Sequence, residues 1–478
     1  MRRTIVLAAA AAASIAAAPA AAQPFPSTPP TLGPAPSLKP PAPVTRRLGN
    51  GMQVTYVRQA ELPAVSAVLV VRGAGTTDDP DALPGLASFT ANMLDEGAGG
   101  RNALALADAL DLLGASLSTS AGWDAAQVSL YVLRDNFPAA LALMADVAVR
   151  PDFPANEVER LRDERVTNLT RGRDEASVIA GNAFQSLVYG GSHPYGRFAT
   201  VEATRGLDRA RVAAFHASAY QPRNATLILV GDVDPATDHA AVERAFGGWR
   251  AAGAAPTAPA ALPAPQIART ALYLVDKPGA AQSEVRIGHP GVPRGTPDYY
   301  ALRVMNTLLG GSFTSRLNNN LRESHGWTYG ARSSFSMRQS AGPFTAQAAI
   351  VTAKTDSAVV EFFRELNRIR TEPVPAEELE KAKRYLALGF PQEFETTPTV
   401  ASQFADLATY GIEPSFFDTY VARIMAVTAE DVRRVANQYL RPDRAVIVVV
   451  GDRKTIEPGL RAINVAPVEV REVTEFVK

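Results

Sequence analysis

The sequence alternates between short apolar runs and longer stretches in which apolar residues recur every three or four positions. The runs Gln53–Val57 and Ala64–Arg72 predict strands, whereas Ala103–Leu113 has the spacing of an amphipathic helix. Further strand-like runs fall at residues 117–120 and 126–133, before a long helical stretch. Because strands and helices mix without a strict strand–helix–strand alternation, the order predicts an α+β fold in which helices pack on one face of an antiparallel sheet.

Two pairs of similar segments, separated by nearly the same distance, indicate that the chain has two halves with one plan. A proline, a β-rich run and a Gly-Asp pair occur in Tyr220–Asp232 and again in Tyr439–Asp452. Helices predicted to start at Pro154 and at Pro375 both have acidic first turns, which suit the helix dipole. The offset is 220 residues for the first pair and 221 for the second, so the sequence predicts an internal duplication.

Helical patterns also precede both of these β-rich runs, at residues 210–219 and 429–438. Asp208 and Thr428 stand just before them and are the expected N-cap residues, because their side-chain oxygens can accept a hydrogen bond from the first turn of a helix.

Biased composition at the start and in the middle of the chain sets the expected domain boundaries. Residues 1–22 have a short basic start, an apolar run and a small-residue cleavage site, which predict a signal peptide. Residues 23–43 form a proline-rich arm, and residues 251–266 form an alanine- and proline-rich linker. An N-terminal domain is therefore expected at residues 44–250 and a C-terminal domain at residues 267–478.

Charge and cysteine content exclude several classes of function. Lys plus Arg and Asp plus Glu number 48 each, and no basic stripe with interleaved aromatic residues occurs, so we expect no nucleic-acid partner. The chain has no cysteine, which excludes disulfides, thiolate zinc ligands and thiol nucleophiles. After the predicted signal peptide no apolar run reaches the length of a membrane span, so we expect no membrane anchor.

The segment Gly85–Leu94, GLASFTANML, predicts one amphipathic helix with an unusual second face. Ser88, Ala91 and Asn92 lie at the spacing at which an inverted zinc helix, H-x-x-E-H, carries two ligands and a general base. A hydroxyl, a methyl and an amide stand there instead, and these groups neither hold catalytic zinc nor act as a base. On its own, this face is expected to be solvated or to line a cavity.

The histidines do not supply a replacement zinc pair in the sequence, because no two of them lie within four residues of each other. A site assembled from histidines that are distant in sequence stays open as an alternative. We expect a structural role for the first of them, in the segment SHPYG. The five are His193, His216, His239, His289 and His325.

In the second half, residues 308–330 read LLGGSFTSRLNNNLRESHGWTYG. This segment resembles a motif of the pitrilysin/insulinase-type zinc metalloproteases, and in particular of their bacterial half-length members and the mitochondrial processing peptidase subunits. The first half is similar as well, since a strand that ends in glycine leads into the helix at Gly85. The resemblance covers nearly all of the chain after residue 43 and implies two homologous domains arranged as a duplicated bowl.

The resemblance also assigns the positions of the missing metal site. Ser88 stands in the place of the first histidine ligand, Ala91 in that of the glutamate base and Asn92 in that of the second histidine. The third ligand of the family is a glutamate on a later helix, and Asn168 is the closest position here. Glu164 lies one turn earlier and could be mistaken for that ligand. The resemblance thus implies that this chain binds no metal.

The same resemblance assigns a role to two residues of the second half. In the family, an arginine and a tyrosine from the domain without metal reach the substrate, and these map onto Arg316 and Tyr329. A guanidinium and a phenol are donors suited to a peptide carbonyl and to the oxyanion that forms from it.

The sequence therefore predicts a non-zinc-binding subunit of an exported two-subunit metallopeptidase, inactive alone. Its expected partners are a zinc-bearing paralogous chain and extended peptide substrates; zinc is expected in the partner only, and the periplasm is the expected location if the source is Gram-negative. Two alternatives stay open. One is a non-catalytic scaffold or peptide-binding protein, and the other is a stand-alone peptidase with an unrecognised metal site.

Overall fold

The structure is a computed structural model, and it describes Gly33, residues 40–251 and residues 261–478. The predicted signal peptide, most of the proline-rich arm and the middle of the predicted linker lie outside these residues. Within the described ranges, none of the helices has both the length and the apolar character that a membrane span requires.

The first half forms a sheet of six strands with helices around it. Its elements are β1 (Val44–Arg47), β2 (Gln53–Arg58), β3 (Ala64–Arg72), α1 (Leu86–Asn92), β4 (Gly97–Ala98), β5 (Arg101–Asn102), α2 (Ala103–Leu112), β6 (Ser116–Ala121), β7 (Ala125–Leu133), α3 (Phe137–Val149), α4 (Ala155–Gly172), α5 (Ala176–Tyr189), α6 (Val201–Arg205), α7 (Arg209–Ala219), β8 (Ala225–Gly231) and α8 (Pro235–Phe246). The order in the sheet is β1-β2-β8-β3-β7-β6, and β4 and β5 pair separately.

The second half repeats this plan. Its elements are β9 (Ala271–Asp276), β10 (Gln282–Pro290), α9 (Tyr299–Asn306), α10 (Arg316–Asn318), β11 (Thr328–Phe335), β12 (Pro343–Val351), α11 (Thr355–Thr371), α12 (Ala376–Gly389), α13 (Thr397–Tyr410), α14 (Phe416–Met425), α15 (Ala429–Tyr439), β13 (Val446–Gly451), α16 (Arg453–Ala462) and β14 (Val468–Arg471). The order in its sheet is β14-β9-β13-β10-β12-β11.

Five strands of the first sheet correspond in order to five of the second: β2, β8, β3, β7 and β6 match β9, β13, β10, β12 and β11. In both, the neighbouring strands on one side pair antiparallel, and a parallel pair, β2 with β8 or β9 with β13, follows on the other side. The edge strands differ, since β1 is antiparallel to β2 whereas β14 is parallel to β9. Pro154 and Pro375 are the N-cap residues of α4 and α12, as expected. The side chains of Asp208 and Thr428 cap α7 and α15. The predicted α+β class and the repetition of its plan are confirmed.

Each sheet receives a helix of the other half on its second face, which the sequence did not predict. Alternate residues of β3 point to opposite sides, as in any strand: Leu69 packs with the helices of its own half, whereas Val68 packs in the core that contains α13. Helix α13 lies against β3 and β8, and the corresponding helix α5 lies against β10 and β13. A hydrogen bond of 2.8 Å between Ser66 and Thr397 joins the halves at this contact.

A buried arginine joins the halves at a second place. The guanidinium carbon of Arg338, from the second half, lies 3.8 Å from the ring centroid of Trp123 and 4.5 Å from that of Tyr195, both in the first half. The Tyr195 hydroxyl donates to Asp124, whose other oxygen accepts the backbone N–H of Gln339. The halves are therefore held together by specific polar contacts as well as by apolar packing.

Candidate functional site

Helix α1 begins at a tightly defined turn after β3. Its N-cap residue, Gly85, has a φ of +97°, in the region that favours glycine. The carboxylate of Asp79 accepts the backbone N–H groups of Gly85 and Ala87, both at 2.6 Å. Asp79 thus satisfies two of the N–H groups that a helix start leaves unpaired and fixes the direction of α1.

The three positions that correspond to the zinc residues have different surroundings. Ser88 is half-buried, Ala91 is fully buried and Asn92 is exposed to solvent. The Ser88 hydroxyl donates to the carbonyl oxygen of Gly85 at 3.0 Å. Ser88 borders a cavity of about 300 Å³, so of these three only Ser88 lines the space next to the helix.

An arginine, rather than the predicted Asn168, reaches this space from helix α4. The Nη2 atom of Arg165 donates to the Ser88 hydroxyl at 2.8 Å, across 77 residues of sequence. Asn168 lies one turn further along α4 and is exposed. Glu164 is also exposed and lies 3.6 Å from Arg160, so it turns away from Ser88. Arg165, which the sequence did not single out, is therefore the residue of α4 that contacts Ser88.

The charge of Arg165 is partly shielded from solvent. Burial lowers the pKa of this guanidinium, while the nearby Asp79 carboxylate raises it. Burial also raises the pKa of Asp79 to about 6, against the two backbone hydrogen bonds, which lower it. A fixed positive charge therefore stands beside α1, where the resemblance places a metal ion.

Arg316, the first predicted residue of the second half, is closed into an ion pair. Its Nε and Nη2 atoms donate to the two carboxylate oxygens of Glu378, at 2.8 and 2.7 Å. The Arg316 side chain is 9 % exposed and that of Glu378 is 31 % exposed. Two of the three guanidinium nitrogens of Arg316 are thus engaged within the domain, whereas Nη1 is buried without a hydrogen-bond partner among the described residues.

Tyr329, the second predicted residue, is 87 % exposed and lies beside a different arginine. The guanidinium carbon of Arg322 stands 5.0 Å from the ring centroid of Tyr329 and 4.6 Å from that of Phe313, which is also exposed. The structure thus places Arg322 beside Tyr329, whereas Arg316 pairs with Glu378. We name the exposed group of Phe313, Arg322 and Tyr329 the aromatic–arginine cluster.

The backbone around this cluster is irregular. Helix α10 stands between two π-helical turns, Thr307–Gly311 and Asn319–Ser324. Such turns are rare and often mark functional sites. Arg316 begins α10 and Arg322 lies in the second π turn, so the Arg316–Glu378 pair anchors the segment that carries Arg322.

Comparison with known proteins places these features in a family. Residues 54–179 match the family described as Insulinase (Peptidase family M16), and residues 206–386 match the one described as Peptidase M16 inactive domain. Together the matches take in well over half of the chain. The chain belongs to the M16 peptidase family. The resemblance inferred from the sequence is confirmed.

Individual M16 relatives support this assignment over most of the chain. A Mycobacterium tuberculosis protein named an uncharacterized zinc protease is 27% identical over 84% of this chain and 93% of its own. The crystal structure of a peptidase M16 inactive domain from Pseudomonas fluorescens has a TM-score of 0.79 and 27% identity, over 86% of this chain and 98% of its own. The first half of the periplasmic protease PqqL from Escherichia coli shares the fold, with a TM-score of 0.70, 16% identity, and coverage of 89% and 97%.

The residues present beside α1 do not fit the zinc of an M16 peptidase. Zinc requires imidazole and carboxylate ligands. The three positions hold instead a hydroxyl that accepts from a guanidinium, a buried methyl group and an exposed amide. In the described ranges, no group of three or more His, Asp or Glu residues lies close enough to hold a metal ion.

The histidines that might have formed a distant site occupy separate structural positions. His193 accepts the backbone N–H of Tyr195, in the structural role expected for it. His216 is hydrogen-bonded to the carbonyl of Ala148 and His239 to the hydroxyl of Tyr56. Buried His289 accepts from the backbone of Arg441, and His325 stacks on Trp327. These contacts distribute the rings over both halves and give none of them a second histidine as a neighbour.

Replacing Gly85 with alanine should destabilise the protein, because its φ is unfavourable for alanine and the new Cβ would crowd Ala199 and Arg165. The new Cβ would lie 2.6 Å from Nη2 of Arg165 and 3.0 Å from Cβ of Ala199, at a φ unfavourable for alanine. We expect the free energy of unfolding to fall by about 2–4 kcal/mol in urea denaturation.

Gly100→Ala is the matched control, since Gly100 also has a positive φ but has nothing within 4 Å of its Cβ position. It should lose only about 1–2 kcal/mol, from backbone strain alone. Equal losses in the two variants would show that the crowding by Ala199 and Arg165 has no energetic weight.

Proposed function

We propose that this chain is the non-zinc-binding subunit of a two-chain M16 peptidase. The observation that carries the proposal is the Arg165–Ser88 contact, since a positively charged guanidinium would repel a metal cation from the space beside α1. The fold is complete around this helix, with a buried apolar face and a capped start. Such a chain retains the family architecture and needs a partner for metal-assisted hydrolysis.

In this proposal the aromatic–arginine cluster is the part that faces the substrate held by the partner. Tyr329 has its hydroxyl on an 87 % exposed side chain, and Arg322 places a charge next to its ring. Phenol and guanidinium donors stabilise negative charge that develops on a carbonyl oxygen during attack. Arg316 acts as a positioning residue, because it ties the base of the same segment to α12 through Glu378.

The proposed partner is a zinc-bearing paralogous chain, and the proposed substrates are extended peptides. Strand addition to a sheet edge reads the peptide backbone, which suits a chamber that accepts varied sequences. The N-terminal 22 residues support export of the chain, and the periplasm is the proposed site if the source is Gram-negative.

A second function is favoured by the closed Arg316–Glu378 pair. If the second half contributes no donor to the partner, the chain is a scaffold or peptide-binding subunit that assembles without taking part in hydrolysis. Both functions require a partner chain. They differ in whether the rate of the complex depends on Tyr329.

Peptide cleavage by separated and mixed chains tests the proposal. The candidate partner is an M16 chain of similar length with an intact H-x-x-E-H, to be sought first in the reading frame next to this one. We expect no cleavage by this chain alone, weak cleavage by the partner alone and strong cleavage by the mixture. Equal rates for the partner alone and for the mixture would contradict the proposal, as would cleavage by this chain alone.

A further inference from the structure

The cavity beside Ser88 has a distinctive combination of linings. It is bordered by Ser88, Arg165 and Trp123. Asn182 and Gln185 also border it, from helix α5, which packs on the sheet of the second half. Its volume of about 300 Å³ lies at the low end of small-ligand sites. The cavity is therefore large enough for one or two residues of a peptide but not for a long segment.

The hydrogen-bonding capacity of Arg165 is mostly unused. A guanidinium has five N–H donors, and among the described residues Arg165 makes a single hydrogen bond, to the Ser88 hydroxyl. The ring of Phe89 covers one side, with 5.9 Å between its centroid and the guanidinium carbon. No carboxylate of the described ranges forms an ion pair with it. Arg165 is half-buried and borders the cavity, so its remaining donors can meet an anion from outside the chain.

Asp79, the carboxylate whose charge acts on Arg165, is already engaged at the start of α1. Asp79 attracts Arg165 over a distance, but its two oxygens accept the backbone N–H groups of Gly85 and Ala87. The other arginine of the cavity, Arg197, is paired with Asp81 at 2.8 Å, whereas Arg165 has no carboxylate within ion-pair distance among the described residues and feels Asp79 only from further away.

We propose that this cavity binds a carboxylate group of a peptide, with Arg165 as the anchor. The planar guanidinium can offer two parallel N–H donors to the two oxygens of a carboxylate. The carboxylate can come from the C-terminus of a peptide or from an aspartate or glutamate side chain. The degenerate zinc position is then a binding subsite with a cation of its own. This inference concerns the isolated chain and does not depend on a zinc-bearing partner.

Calorimetric titration of the purified chain with three short peptides tests the proposal. The peptides are N-acetyl-trialanine with a free carboxylate, the same peptide amidated, and amidated N-acetyl-Ala-Asp-Ala. The free-carboxylate peptide binds if the C-terminus is the source, and the aspartate peptide binds if a side chain is. The amidated trialanine binds in neither case. Absence of binding by both acidic peptides overturns the proposal.

Three variants connect the binding to Arg165. Arg165→Met should weaken binding of the acidic peptide by about tenfold or more, as expected for loss of a charged hydrogen-bond partner. Arg171→Met changes an exposed arginine of the same helix and should leave the affinity unchanged. Arg165→Lys keeps the charge and should still weaken binding severalfold, because an ammonium group cannot form the two parallel bonds. Unchanged affinity in both Arg165→Lys and Arg165→Met overturns the proposal. If the methionine variant does not fold, unchanged affinity in Arg165→Lys alone overturns it.

Discussion

Replacing Tyr329 with phenylalanine should slow peptide hydrolysis by the two-chain complex by about 10²-fold, because a preorganised donor to a developing oxyanion has an effect of that order. The exposed hydroxyl is the only group that this change removes, and no hydrogen bond within the described residues depends on it. The turnover number should fall, whereas the amount of complex, measured by size-exclusion chromatography, should stay the same.

Tyr385→Phe is the matched control, since Tyr385 is another exposed tyrosine of the second half, on helix α12. This variant should hydrolyse peptide at the unaltered rate. Full activity in Tyr329→Phe, with normal assembly, would favour the scaffold function over a catalytic contribution from this chain.

Removing Glu378 should destabilise the protein more than removing Arg316, although both changes break the same ion pair. Arg316 is the more deeply buried member, and its Nη1 atom already has no hydrogen-bond partner among the described residues. Glu378→Ala leaves this cation buried without compensation, which should reduce the free energy of unfolding by about 3–5 kcal/mol. In Arg316→Met the remaining Glu378 can be hydrated, and the loss should be about 1–2 kcal/mol.

Urea denaturation of the two variants measures this difference. Glu377→Ala is the control, because Glu377 is exposed and precedes Glu378 in the first turn of α12. Its loss should stay below about 1 kcal/mol, the usual size of a charge effect at a helix end. If Arg316→Met lost more stability than Glu378→Ala, the expectation that Arg316 is the costlier residue to leave unpaired would be wrong.

The repeated plan of the fold could be predicted from sequence because its signals are local. Continuous apolar runs identified β3 and its neighbours, and capping residues such as Asp208 and Thr428 identified helix starts. The packing of α5 and α13 on the sheet of the opposite half could not be predicted in this way. The apolar face of a helix does not specify which sheet covers it, since both sheets present similar β-branched surfaces.

Only one property of the candidate site could be predicted from the sequence, namely that the zinc ligands and the general base of the family are missing. The replacement of ligands at Ser88, Ala91 and Asn92 could be read directly, but Arg165 resembles the other arginines of a polar helix. Its burial depends on the packing of α4 beside α1. Arg316 and Arg322 likewise look equivalent in sequence, and the distinction rests on Glu378, a residue 62 positions away that occupies only the first of them.

The zinc content of the isolated chain tests the central claim most directly. After incubation with micromolar zinc and removal of the unbound metal, the purified chain should retain far less than one zinc ion per molecule by inductively coupled plasma mass spectrometry. The zinc-bearing partner, treated in the same way, should retain about one ion, as its three-ligand site requires. One zinc ion retained per molecule of this chain would contradict the account.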